Sequence, residues 1–425
     1  MHLTIVALGS RGDIQPVVAL GIGLVNTGYQ VRIASFQTYA DFIRSNGLDF
    51  APIEGDPHQT LQGQTGRAWQ ESGKDPIKFL TMLRKLNSPE HLRKALDDAV
   101  EACKDSDAIL YTALGAAGYH VAEMMGVPRL YLLLQPVSRT QEQPSILMPQ
   151  WNLGAGYNRI SHQITEQLMW QTLRGPVNRW RQESLKLPPV PFWGPFNLLY
   201  KDKDPFIYGY SQHVVPRTID MPDWHHTTGY WFLESQGDWT PQPELLEFLS
   251  VKPKPIYIGF GSMSGHSARN LAKLAIDAIG DTNQRGVLVG GWAEAHEISN
   301  PDYIYSCASI PHDWLFPRIS AVVHHGGAGT TAAGIRAGVP TVVIPFMGDQ
   351  PYWGQRIFEL GVGPQPVMRK NLTVDLLAER INRALKDQSI VKKAAALGEK
   401  IREENGVEKA VDLIRYYFGS KPKEI

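Results

Sequence analysis

The stretch from Ser306 to Gln355 reads SCASIPHDWLFPRISAVVHHGGAGTTAAGIRAGVPTVVIPFMGDQPYWGQ. Ile319–His325 has the apolar pattern of a buried strand and runs into the turn Gly326-Gly327-Ala328-Gly329-Thr330. Small residues from Thr331 to Ala337 then continue as a helix, and a second apolar run, Thr341–Ile344, ends at Pro345 and Asp349-Gln350. Strand, glycine turn and helix start, in that order, aim backbone N–H groups at an anion, and the helix dipole favours negative charge at the same place. The segment therefore predicts a phosphorylated ligand.

The same alternation of strand and helix extends outward in both directions. Towards the N-terminus it comprises the strand Leu3–Leu8, the helix Ile14–Thr27 with Val17, Leu20 and Leu24 at helical spacing, and the strand Val31–Ala34. It resumes with a helix over Glu90–Cys103, a strand over Ala108–Tyr111, a helix over Gly118–Met125 and a strand over Arg129–Leu134. A second series covers Ile256–Phe260, the helix Ala268–Ile279, Val287–Val289 and Tyr303–Cys307, and helices over Val374–Leu385, Val391–Glu403 and Glu408–Tyr417 close the chain. Strands that are apolar throughout imply parallel sheets covered on both faces. The predicted fold class is α/β, with two Rossmann-like doubly wound domains facing across a cleft and ligands at the carboxyl ends of the strands. The boundaries read as 1–235, 236–403 and a terminal helical segment 404–425. Residues 141–200, rich in Pro, Trp, Gln and Asn, form an insertion with helical pieces at Ser161–Leu173 and Pro176–Leu185. Residues 234–255, with four prolines and Gly237, read as a linker.

Composition bounds the function. Apolar residues make up 43% and charged residues 20% of 425 residues, and the net charge is zero, so no global field favours nucleic acid or an anionic membrane. Two cysteines, Cys103 and Cys307, provide neither a disulfide framework nor a zinc spacing, and point to a reducing, cytoplasmic setting. The start, MHLTIVALGSRGD, lacks the basic region and the length of a signal peptide, and no apolar run reaches the roughly 18 residues of a membrane span. His324-His325 and His225-His226 are poor joint metal ligands, because neighbours on a strand point to opposite faces. No metal is expected.

Several positions carry two readings. Asp13, in Gly9-Ser10-Arg11-Gly12-Asp13, suits a helix cap, with Pro16 tolerated in a first turn, and equally suits a general base at the end of the first strand. Gly259-Phe260-Gly261-Ser262, with Gly265 beyond, is either a tight turn or a loose imitation of a dinucleotide turn. A single histidine beside the glycine turn suits a phosphate. Asp349 and Gln350 suit sugar hydroxyls or a solvated turn. Met148, Trp151 and Trp170, in or beside the tryptophan-rich stretch 151–193, read as core, as the wall of an apolar acceptor pocket, or as a membrane contact, although no basic amphipathic helix announces a membrane.

His324-His325-Gly326-Gly327-Ala328-Gly329-Thr330-Thr331 and Gly348-Asp349-Gln350-Pro351 resemble the donor-site signature of GT-B glycosyltransferases. The nearest pattern is the sterol glucosyltransferase branch of the family-1 enzymes, with the bacterial antibiotic glycosyltransferases. Pro311–Pro317, Gly9–Pro16 and Gly259–Met263 are similar to that branch as well, in order along nearly the whole chain. The resemblance implies an inverting, metal-independent transfer of a hexose, with UDP-glucose as the expected donor and no cofactor. The acceptor would be a small apolar alcohol: a sterol, a lipid or an aromatic natural product. It implies that His325, Gly327, Ala328, Gly329 and Thr330 hold the diphosphate with help from Ser262, and that Asp349 and Gln350 bind the sugar. It also implies that Ile310 belongs to the donor site, that Ser10, Arg11 and Gly12 lie near the donor, that Asp13 is the base, and that the last helix returns to the first domain. The plant-type base-stacking Trp and ribose-binding Glu are replaced by Ser309 and Ala333, which leaves Trp292 as the candidate base neighbour.

Three other functions compete. An oxidoreductase would need an acidic residue at the end of the strand Val287–Val289, which instead ends at Gly290-Gly291-Trp292. Against a nucleotide-sugar epimerase, the insertion and Asp13 favour a transferase, and the presence of Asp13 together with the donor residues favours an enzyme over a non-catalytic carbohydrate-binding protein.

Overall fold

The computed structural model describes residues 1–56, 89–234, 239–261, 266–290 and 301–419. Ser262 and Trp292, both assigned above to the donor site, lie outside the described residues. The chain divides into two compact units, Met1–Leu233 with Asn405–Ile425, and Glu234–Glu404.

The first unit is built on a seven-stranded parallel sheet of order β3-β2-β1-β4-β5-β6-β7. Its strands are β1 (His2–Val6), β2 (Gln30–Phe36), β3 (Asp49–Ile53), β4 (Ala108–Thr112), β5 (Arg129–Leu133), β6 (Phe206–Tyr208) and β7 (His225–Thr227). The order reverses between β1 and β4, which makes the loops after these two strands the switch point where such sheets bind ligands. Leu3, Ile5 and Leu110 are fully buried on one face of this sheet, in a single core. The helix Arg11–Asn26 contributes Ile14, Val17, Val18, Leu20 and Leu24 to that core. It starts three residues earlier than its apolar period suggests, so Pro16 lies in the second turn. The proline's missing N–H strands the carbonyl of Gly12, an exposed residue, so the helix continues without a break.

The helix Gly406–Gly419 also belongs to this unit. Its Ala410, Val411 and Ile414 join the first core. Gly23 lets the two helices approach closely, since a Cβ there would stand 2.5 Å from Val407 Cγ1. At the start of the helix, a Cβ on Gly406 would stand 2.3 Å from the Tyr230 carbonyl oxygen. Backbone cannot yield as a side chain can, so Gly406→Ala is expected to cost about 1–3 kcal/mol as an overpacked contact, read as a lower urea midpoint for this unit.

The insertion is ordered differently from its prediction. Residues Gly154–Trp180 form one helix rather than two pieces, and it winds on through a π-helical turn, Arg181–Leu185. Gly175 and Pro176 lie on its exposed side, where a missing hydrogen bond does not break the helix. Arg181, only 2% exposed, fastens this segment to the helix Ala117–Met125. It donates to both Glu123 carboxylate oxygens at 2.8 and 2.9 Å, to His120 Nδ1 at 2.9 Å and to the Pro188 carbonyl at 2.9 Å.

The second unit has a five-stranded parallel sheet of order β10-β9-β8-β11-β12. Here β8 is Ile256–Gly259, β9 is Gly286–Val289, β10 is Ile304–Cys307, β11 is Val322–His324 and β12 is Thr341–Val343. The order reverses between β8 and β11, so the turns Gly259–Gly261 and His325–Gly327 flank the second switch point. The segment read as a linker contains a helix, Pro243–Ser250, which buries Leu245 against Tyr257 and Phe316. Prolines at its start masked it, although proline is at home in the first turn of a helix.

Candidate functional site

In the second unit the site grows from the end of β11. His324 is fully buried, and its Nδ1 accepts the Gly326 N–H at 3.0 Å, so the ring faces inward and shapes the turn. Burial holds its pKa well below the ordinary 6.5, so it is neutral. His325 takes the opposite direction, with the two rings at 83°. Its ring fits between two glycine turns. A Cβ on Gly327 would stand 2.6 Å from Nε2, and one on Gly261 would stand 3.3 Å from Cε1. His325 Nδ1 is buried without a well-formed hydrogen bond. Burial lowers the pKa of this ring to about 4, against an opposing effect of the Gly259 backbone, so at neutral pH it offers an uncharged N–H.

The helix beyond the turn begins at Ala328, not Thr331, with Gly327 as its N-cap. The first intrahelical bond is donated by the Thr331 N–H to the Gly327 carbonyl. Glycine has no side chain to satisfy the N–H groups of Ala328, Gly329 and Thr330, and the first turn contains no carboxylate. These are the unsatisfied donors that a helix start turns towards an anion. Gly326, at φ +91°, tolerates no Cβ, which would meet Val343 Cγ1 at 2.8 Å and the Gln350 carbonyl at 3.0 Å.

That contact brings the Asp349-Gln350 turn against the glycine turn, so the two predicted motifs do converge. Their side chains first build their own corner. Gln350 Oε1 accepts the Phe346 and Met347 N–H groups at 2.8 and 3.2 Å, and Asp349 Oδ2 accepts the Trp353 indole N–H at 2.9 Å. Ile310 is buried in the core beside Leu315 and Phe316, so only its backbone can serve a ligand. The sequence reading missed a pair beneath the Gly259 turn. Tyr257 Oη and His312 Nε2 are 3.2 Å apart, and His312 stacks on Phe316 at 4.4 Å. A Cβ on Gly259 would meet the Tyr257 hydroxyl at 2.1 Å. His312 stood in a quoted motif, but nothing local in the sequence linked it to Tyr257.

In the first unit Asp13 lies at the β1 end of the switch point, in the first turn of its helix. Asp13 Oδ2 accepts both the N–H and the hydroxyl of Ser10, each at 2.8 Å. The Asp13 N–H in turn donates to the Ser10 carbonyl at 2.9 Å. The N-cap is therefore Ser10 rather than Asp13, which sits at the third helical position and closes a capping box through Oδ2. The side chain is half-buried, and burial, the largest effect, raises its pKa above the ordinary 3.8 against the two Ser10 bonds. Gly9, at φ +133°, makes room, because a Cβ there would stand 2.5 Å from Asp13 Oδ2. Arg11 points its guanidinium over the Phe42 ring at 4.6 Å, and Gly12 is exposed. After β4, Gly115 would place a Cβ 2.0 Å from the Val6 carbonyl, which draws this loop tightly against β1. Its neighbour Leu114 stands 58% exposed at the same edge.

The acceptor assignments separate. Trp170 is 4% exposed, packs on Val177 and Val190, and donates its indole N–H to the Pro191 carbonyl at 3.2 Å. It is a packing residue rather than part of an acceptor wall. Met148 is half-buried, and Trp151 is exposed and stacked on Tyr157.

Comparison with known proteins bears on this arrangement. Residues 3–143 match the glycosyltransferase family 28 N-terminal domain, and residues 276–411 match the erythromycin biosynthesis protein CIII-like C-terminal domain. Over 97% of its length the chain is 37% identical to a sterol 3-beta-glucosyltransferase of Candida albicans, covering 27% of that protein. It is 36% identical to one of Emericella nidulans, again over 97% of this chain and 30% of the other. The chain thus spans about a third or less of the curated relatives it matches. Among solved structures, the glycotransferase of kitacinnamycin superposes with a TM-score of 0.69 at 19% identity over 98% of both chains. The glycosyltransferase VinC, in complex with dTDP, superposes with a TM-score of 0.65 at 18% identity over 99% of this chain and 100% of the other. These likenesses establish the fold as GT-B. Among the described residues no helix is long and apolar enough to cross a membrane.

Proposed function

We propose, for a chain that belongs to the GT-B glycosyltransferases, the transfer of a hexosyl group from a UDP-sugar, UDP-glucose first, to the hydroxyl of a sterol-like alcohol. Two observations, one within each unit, carry this reading. One is a helix start at Ala328–Thr330 with unsatisfied N–H donors beside the neutral His325. The other is Asp13, a carboxylate of raised pKa at the switch point of the first sheet. The identity to sterol 3-beta-glucosyltransferases over nearly the whole chain supports the sterol-like acceptor and the glucosyl donor.

In the proposed step the acceptor oxygen attacks the anomeric carbon from the face opposite the diphosphate. The bond from that carbon to the phosphate oxygen breaks, the nucleoside diphosphate leaves with the electron pair, and the acceptor proton passes to Asp13. The configuration inverts. Charge gathers on the leaving oxygens, where the helix-start N–H groups and His325 provide fixed donors that need no reorganisation. No step in this scheme calls on a metal ion. A carboxylate is a weak base for an alcohol, so the scheme requires the glycosidic bond to break ahead of proton transfer, as in oxocarbenium-like sugar chemistry. Burial that raises the Asp13 pKa works in the same direction.

A donor panel tests the reading. Release of UDP or dTDP from their glucose conjugates, measured with and without a detergent-dispersed sterol, should show UDP release that depends on the sterol. Release that ignores every acceptor, or sugar isomerisation in place of transfer, would sink it. His325→Ala should weaken UDP binding by about tenfold or more, the usual worth of a hydrogen bond to a charged group, and an unchanged calorimetric affinity would remove His325 from the donor site.

A further inference from the structure

We infer that one face of the helix Gly154–Trp180, together with Phe192 and Trp193, docks on an anionic lipid surface. Tyr157, Ile160, Ile164, Gln167, Gln171 and Arg174 recur at intervals of three and four. That spacing sets them in one stripe about 25 Å long. The stripe is continued from both ends. Trp151 stacks on Tyr157 at 6.0 Å. At the other end, Gln167 and Gln171 donate to the backbone carbonyls of Trp193 and Phe192, each at 2.8 Å, and so pin these two rings alongside. Arg174 lies 5.1 Å over the Phe192 ring.

Its most exposed groups are apolar. Trp193 is 61% exposed, Ile160 53%, Phe192 51% and Ile164 41%. Each aromatic ring presents on the order of 150–250 Å² when uncovered, and contiguous apolar patches of several hundred Å² mark interaction surfaces. Charge selects the occupant. Residues 141–200 contain three carboxylates, Glu142, Glu166 and Glu183. Glu142 accepts the Ile219 N–H, Glu166 pairs with Arg139 and Glu183 pairs with Arg93. Arg159 and Arg174 have no carboxylate partner among the described residues. What remains at the surface is a line of Trp, Phe and Ile edged by cations, the composition that settles at a headgroup boundary. A second copy would set one arginine-edged face against another, which disfavours self-association.

The use of such docking rests on the proposed function, since a sterol-like acceptor resides in membranes; the docking itself does not depend on transfer. Sedimentation of the full chain with vesicles of phosphatidylcholine, alone or mixed with phosphatidylserine, tests it. Wild type should partition to the anionic vesicles, more strongly at low salt. The double variant Phe192→Ser/Trp193→Ser should lower that partition by about tenfold or more. Arg174→Glu, which leaves the apolar rings in place, should lower it about fivefold on anionic vesicles and leave binding to neutral ones unchanged. Transfer to sterol held in vesicles should fall in step, while transfer to detergent-dispersed sterol stays at the wild-type rate. The inference is overturned if wild type ignores anionic vesicles or if both variants bind as wild type does. It is equally overturned if the variants lose transfer to dispersed sterol while still binding vesicles, or if the face proves to pair two copies by sedimentation equilibrium. If no acceptor is glycosylated yet vesicle binding responds to these variants, the docking stands and the functional reading fails. Should the double variant not fold, as judged by circular dichroism, Arg174→Glu decides alone.

Discussion

Replacing Asp13 by asparagine is expected to lower kcat for transfer by about 10² to 10⁴, the usual contribution of a positioned general base, while donor affinity stays unchanged. Asparagine keeps an oxygen that can accept from the Ser10 N–H and hydroxyl, so the helix start should survive. The stability effect has the opposite sign from the activity effect. The fold raises the Asp13 pKa above 3.8, chiefly through burial. A raised carboxyl pKa contributes stability that is fully present below the unfolded value and is lost as pH rises through the folded one. Wild type therefore carries the cost of an ionised, half-buried carboxylate at neutral pH, and Asp13→Asn does not. The variant should be equal to wild type or more resistant to urea above the raised pKa, and this advantage should vanish in acid. Full activity in Asp13→Asn, or an activity loss accompanied by a lower urea midpoint at neutral pH, would reduce Asp13 to a cap.

The second large effect is structural. Arg181→Met should destabilise the first unit by about 3 kcal/mol, the lower end of the range for breaking a buried ion pair. The lower end applies because the Glu123 side chain is about a third exposed and can recover water once its partner is gone, whereas Arg181 is 2% exposed and makes four hydrogen bonds. His120 contributes little to the charge balance, since burial and the neighbouring guanidinium lower its pKa to about 3. The loss should appear as a lower urea midpoint followed by tryptophan fluorescence, because Trp180 adjoins the lost cation and donates to Asp97 at 2.9 Å. Arg181→Lys, which keeps the charge but not the fork, should fall between. An unchanged midpoint in the methionine variant would mean that the insertion is held by its apolar contacts alone.

Much of this fold was legible because parallel strands buried on both faces leave a strong mark. Ala108–Tyr111 and Val287–Val289 are apolar without interruption, and both are strands. Strands lacking that mark passed unnoticed. Asp49–Ile53 contains Pro52 and is an edge strand, the one place in a sheet where a missing N–H is harmless. Phe206–Tyr208 and His225–Thr227 are three residues each, too short to show a period. Pro176 reads as a helix start because local preference cannot register that its side of the helix is exposed.

At the site, the glycine turn and the opposite directions of His324 and His325 followed from spacing and strand alternation alone. The start of the helix at Ala328 did not, because Ala, Gly and Thr carry no apolar period. Three further features depend on tertiary contact: the burial that makes His325 neutral, the contact of Tyr257 with His312, and the use of Gln350 to close its own corner. The role of Trp170 turned on Pro191, twenty-one residues away.

The helix Gly406–Gly419 has a consequence for how the chain can be divided. Its side chains complete a core that begins at Leu3, and the Tyr417 hydroxyl lies 2.7 Å from His226 Nε2. In covalent terms the unit Glu234–Glu404 is a guest inserted into a host whose last piece arrives only after the guest has been made. A host cut off at Leu233 would uncover the helix Arg11–Asn26 around Gly23, where Val407 and Val411 pack, and should be insoluble. Excision of the guest, with a short Gly/Ser bridge from Leu233 to Asn405, should give the soluble half.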